Sequence, residues 1–170
     1  MLNDPGAMQL AVAEKRTQTG GDWFFWIAGF SVVNSVLALV GANFHFVIGL
    51  GTTEVIDSIF SGRGGVGRGI SLALDILAAA FYVGYGLFAR KGAKWAFIVG
   101  MVFYALDGAL LLFAQDWLSV AFHAYALYRI FQGFQAAQEL GRLRAQAVPA
   151  AGGYALPPPA SDVWPPPPAA

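Results

Sequence analysis

The chain has 170 residues, of which 57% are hydrophobic and 12% charged, with acidic and basic side chains in equal number. Soluble domains carry about a quarter charged residues, so this composition and a positive mean hydropathy describe a membrane protein, and no basic cluster is large enough to make nucleic acid a partner. The chain has no cysteine, which excludes disulfides, thiolate metal centres, thiol catalysis and covalent c-type haem attachment.

In chain order, residues 1–22 are polar and mixed, with Asp4, Pro5, Glu14, Lys15, Arg16, Gly20, Gly21 and Asp22, and are predicted to form a polar tail. Residues 23–49 are apolar apart from small and amide side chains. They exceed the ~20 residues that a spanning helix needs and the ~7–15 of a signal-peptide core, so they are read as an uncleaved first helix. In the following loop, Val55, Ile56, Ile59 and Phe60 share one helical face against Glu54, Asp57 and Ser58, the pattern of a short helix lying on the membrane surface. Helix 2 is predicted over 70–89, helix 3 over 93–114 and helix 4 over 117–144, with tight turns at Arg90, Lys91, Gly92 and at Gln115, Asp116. The polar end of helix 4 is expected to project beyond the membrane. Residues 145–170 are rich in Ala, Gly and Pro and contain Trp164, Pro165, Pro166, Pro167 and Pro168, a composition read as a disordered tail suited to a cytoplasmic partner with an aromatic groove. The fold class is therefore all-α, an integral membrane up-down four-helix bundle of one domain over 23–144.

Orientation follows the basic residues. Lys15, Arg16, Arg90, Lys91, Lys94, Arg142 and Arg144 fall on one side, and only Arg63 and Arg68 on the other. Both termini are thus expected in the cytoplasm, and the chain in a bacterial inner membrane. Trp23, Trp95 and Trp117 stand at helix starts, where interfacial indoles belong.

One ionisable residue stands out in each apolar stretch: His45, Asp75, Asp107 and His123. A charge in hydrocarbon costs about 2.5–3.5 kcal/mol on the mildest scale, so each marks a candidate site. Each also shares a face with small or polar residues, among them Asn34 and Ser35, Ser71 and Tyr82, Gly100 and Tyr104, and Ser119 and Gly133. Membrane helices turn such faces toward one another. At 1.5 Å rise per residue, the four lie about 6, 8, 11 and 9 Å from the helix ends on the extracytoplasmic side, which places them in one layer.

That polar layer supports several chemistries. Interhelical hydrogen bonding needs no activity. A cavity lined by Tyr82, Tyr104 and neighbouring aromatics would take a small amphiphile. Two His and two Asp also suit a divalent metal, and His45 opposite His123 would suit haem b. The Gly-rich loop before helix 2 reads first as a flexible linker; as an anion site, its Arg63 and Arg68 would suit a lipid headgroup better than a nucleotide, because the strand and Lys-Ser/Thr ending of a P-loop are missing. Arg129 is expected to snorkel to the inner interface beside Tyr125 and Gln132. With no catalytic signature, the expected role is a non-enzymatic accessory, assembly or amphiphile-binding subunit. Its partners would be the lipid bilayer and either another membrane protein or a second copy of the chain. The contrasting expectation is a metal- or haem-binding redox or hydrolytic protein.

Overall fold

The computed structural model describes residues 4–40, 50–52, 59 and 64–152, and among these every regular element is helical. Among the described residues four long helices follow in order: α1 (Pro5–Leu39), α2 (Gly64–Arg90), α3 (Lys94–Phe113) and α4 (Trp117–Gly152). Of these, α2 and α3 are each long and apolar enough to cross a membrane.

Helix α1 departs most from the sequence reading. It begins at Pro5 rather than at residue 23 and is described to Leu39, and residues 41–49 of the predicted segment lie outside the described residues. Asp4 starts it: its carboxylate accepts the Gly6 N–H at 2.9 Å and its carbonyl accepts the Met8 N–H at 3.1 Å. Pro5 then occupies the first helical position, where a missing N–H costs nothing. Packing explains why the polar segment folds. Ala13, Thr17, Gly20, Gly21, Phe24, Ile27, Ala28, Ser31, Asn34 and Ser35 are all buried, and their spacing of three and four makes one continuous stripe. The polar residues between them face outward.

At the other end of the chain, α4 runs to Gly152, so residues 145–152 are helical rather than part of a disordered tail. The two unexpected extensions meet. Gly20 of α1 crosses Gly133 of α4 so closely that a Cβ on Gly20 would lie 2.3 Å from the Gly133 Cα. Beyond this crossing, Ala13 and Thr17 are buried on α1, and Ala136, Ala137 and Leu140 on α4. Arg144 approaches Glu14 at 4.0 Å. Gly21 serves the other flank of α1, where a Cβ would meet Arg90 of α2 at 2.9 Å. There Arg90 pairs with Asp22 at 3.3 Å.

Helix α2 starts at Gly64, six residues before the expected position. Two turns reverse the chain by the same device. After α2, Gly92 adopts φ 84° while its N–H bonds Ala89 O and the Ala93 N–H bonds Phe88 O. After α3, Gln115 adopts φ 59°, with its N–H on Leu112 O and the Asp116 N–H on Leu111 O. Each is the paired capping pattern that ends a helix in a left-handed residue. Asp116 then caps α4 by accepting from the backbone N–H of Ser119 at 3.2 Å and from its hydroxyl.

Helix α1 packs against α2 and α4, while α3 packs against α4 and α2. Phe24 ties the layers together. Its ring covers Gly100 of α3, where any Cβ would come within 2.5 Å, and it lies 6.2 Å from Phe97 and 6.4 Å from Tyr82.

Candidate functional site

Asp107 is six residues before the end of α3, and His123 six residues after the start of α4, so each lies about 9 Å from the α3–α4 turn. That symmetry brings them together. His123 Nε2 is 3.0 Å from Asp107 Oδ2, and both side chains are only 2% exposed. Gly108 lets the ring approach, since a Cβ there would lie 3.3 Å from His123 Cβ.

Asp107 also captures a returning segment of chain. Oδ2 accepts the Gly51 N–H at 2.8 Å, and Oδ1 accepts the Thr52 N–H at 2.7 Å together with the Thr52 hydroxyl. The preceding Leu50 N–H donates to Ser31 Oγ of α1 at 2.9 Å, while that hydroxyl donates to Ile27 O at 2.9 Å. Residues 51 and 52 are helical, and the first N–H groups of a helix have no partner within it. Three consecutive N–H groups are therefore satisfied by side chains of α1 and α3.

The tautomer of His123 follows from its surroundings. Nδ1 lies 2.9 Å from Ser119 O, which can only accept, so Nδ1 carries hydrogen. Nε2 faces a carboxylate oxygen, and that contact closes only with a second proton between them. Whether the proton belongs to the ring or to the carboxyl, the pair is neutral as a whole. A neutral pair avoids the cost of a lone buried charge.

A chain of rings extends from this pair. Tyr104 stacks on His123 with centroids 4.3 Å apart and planes inclined by 15°. Tyr82 meets Tyr104 edge-on at 6.1 Å, and Phe24 meets Tyr82 at 6.4 Å. Each helix contributes one ring: Phe24, Tyr82, Tyr104 and His123. The Tyr104 hydroxyl is buried with no hydrogen-bond partner among the described residues.

The other predicted residues distribute as follows. Asp75 is 1% exposed on α2, one turn after buried Ser71, and Asn34 is buried on α1. His45 and Arg63 lie outside the described residues, as do Trp164, Pro165, Pro166, Pro167 and Pro168. Arg68 falls within α2, with its side chain outside the description. The surface helix expected over 52–60 falls largely outside as well. Among the described residues, no three His, Asp or Glu side chains gather closely enough to hold a metal ion. Both nitrogens of His123 are already committed, so ligation through it would break a bond to Ser119 or to Asp107.

Sequence reading places Ser31 on the inward stripe of helix 1 but does not single out Gly51 or Thr52 as site residues. A signal was available, since Gly51-Thr52-Thr53 follows an apolar run and opens a helical pattern, and such a start needs acceptors for its N–H groups. Compared with protein-family models, curated proteins and solved structures, the chain matches none.

Proposed function

We propose that this chain is an integral membrane protein whose four helices cross a bacterial inner membrane up and down with both termini in the cytoplasm, and that it acts as a non-enzymatic accessory or assembly subunit. One observation carries the membrane reading. The interior holds Ser31, Asn34, Ser35, Ser71, Asp75, Asp107, Ser119 and His123, while Trp26, Phe81, Val102, Phe103, Leu106 and Leu118 are each more than half exposed. A protein in water buries such apolar side chains, whereas helices in lipid turn small and polar residues inward. The non-enzymatic reading is supported by how completely Asp107 and His123 are engaged. Asp107 accepts from the Gly51 and Thr52 N–H groups and the Thr52 hydroxyl and pairs with His123 Nε2, whose Nδ1 is held by Ser119 O, so the network fastens residues 50–52 to α1, α3 and α4.

An amphiphile-binding form of the same role is supported by an apolar groove of about 410 Å³ lined by Leu77, Ala80, Phe81, Gly84, Tyr85, Phe88 and Trp95. Its size is that of a small-molecule site. Membrane insertion is tested by alkaline carbonate extraction of expressing cells. The protein is expected to stay in the pellet and to dissolve only with detergent, and release by carbonate alone would overturn the reading. The detergent-purified protein is expected to lack visible absorption and stoichiometric metal. A chromophore or bound metal lost in His45→Ala and His123→Ala would favour the metal or haem alternative instead.

A further inference from the structure

A cleft of about 530 Å³ opens between α1 and α4, lined by Lys15, Arg16, Thr19 and Gly20 on one side and by Arg129, Gln132, Gly133, Gln135, Ala136 and Glu139 on the other. Three cations face it against one carboxylate. Among the described residues, none of the three forms an ion pair, although acids stand nearby. Glu14 is engaged by Arg144 and Asp22 by Arg90.

Arg129 is held in place there. Its guanidinium lies 5.6 Å over the Trp23 ring, and NH1 donates to the Tyr125 hydroxyl at 3.4 Å. Trp23 and Tyr125 themselves pack edge-on at 5.4 Å. A planar guanidinium braced on an aromatic face keeps most of its five donors for an incoming anion. Tyr125, one turn before Arg129 on α4, and the adjacent Tyr128 are both exposed, so apolar surface adjoins the charged cleft.

We infer that this cleft binds the phosphate of an anionic glycerophospholipid from the cytoplasmic leaflet, with Arg129 as the oriented donor and Lys15 and Arg16 as the attracting charges. Basic pockets between helices on the cytoplasmic side suit such headgroups. The neighbouring amides of Gln132 and Gln135 supply neutral donors. The lipid source rests on the membrane reading above, whereas the phosphate chemistry stands without it.

The test is equilibrium titration of the full chain in neutral detergent with dihexanoyl phosphatidic acid, dihexanoyl phosphatidylcholine and inorganic phosphate. Saturable binding of phosphatidic acid is expected, at least tenfold tighter than that of phosphatidylcholine. Arg129→Gln and the double variant Lys15→Gln/Arg16→Gln should each weaken it about tenfold, with helical circular dichroism unchanged. Arg142→Gln should leave it as in the wild type. Inorganic phosphate binding as tightly as phosphatidic acid, with the same variant sensitivity, would support the phosphate site and assign it a free anion. Binding that is absent, or equal in wild type and both variants, overturns the inference. Failure of the membrane reading would appear separately, as release of the protein by carbonate.

Discussion

Replacing Asp107 with Ala leaves the Gly51 and Thr52 N–H groups, the Thr52 hydroxyl and His123 without their acceptor. Buried polar groups stripped of a charged partner cost several kcal/mol, so Asp107→Ala is expected to lose about 3 kcal/mol in a detergent-urea unfolding titration. Asp107→Asn should fall between it and the wild type. Its amide keeps one acceptor oxygen, but its NH₂ cannot face both the Gly51 N–H and a neutral Nε2 with equal success. Tyr104→Phe tests the opposite case. It removes a buried hydroxyl that has no partner among the described residues and keeps the ring stacked on His123. Stability should hold or rise by up to about 1 kcal/mol, and a loss larger than that would show that the hydroxyl is bonded.

At the scale of elements, the crossing of α1 and α4 depends on two missing side chains. Because each glycine's Cβ would fall within 2.5 Å of the other's Cα, Gly133→Leu must push the helices apart. That separation would also dislodge Thr17 and Ala137, which are buried beyond the crossing. The expected readout is faster proteolysis of the segment before Asp22 and loss of the Arg129 contact with Trp23, seen as a change in tryptophan emission. Gly29→Leu is the control, since nothing lies within 4 Å of that position. The α1 extension also shows where sequence reading stopped short. Hydropathy ranks residues 5–22 as tail because Glu14, Lys15, Arg16 and Asp22 lower the average, yet Ala13, Thr17, Gly20 and Phe24 keep helical spacing throughout. Averaged hydropathy cannot register a narrow stripe of small residues that packs against another helix rather than against lipid.

For the molecule as a whole, the distribution of basic residues predicts a topology. Single cysteines introduced at positions 18 and 155 should react with membrane-impermeant reagent only after the cytoplasmic face is opened, and one at position 65 without it. The reverse pattern would refute the orientation drawn from Lys15, Arg16, Arg90, Lys91, Lys94, Arg142 and Arg144. The arrangement of the helices separates two polar regions. The Asp107–His123 pair lies near the α3–α4 turn, whereas Arg129 is about 9 Å further along α4, beside Trp23 of α1. A neutral, internally satisfied pair suits fastening, and a cleft of cations with no ion pair among the described residues suits an incoming anion.

By itself, the sequence determined that the chain is helical, where α3 and α4 begin to within a residue, and that Asp75, Asp107 and His123 lie on inward faces. These follow from local periodicity and from turn residues. Only the tertiary structure decided that Asp107 meets His123 and the backbone of residues 51 and 52, and that residues 5–22 form a helix against α4. Both depend on contacts between segments distant in the chain, Asp107 with Gly51 and Gly20 with Gly133. Helical spacing fixes which face a residue occupies, but not which residue of another helix stands opposite it.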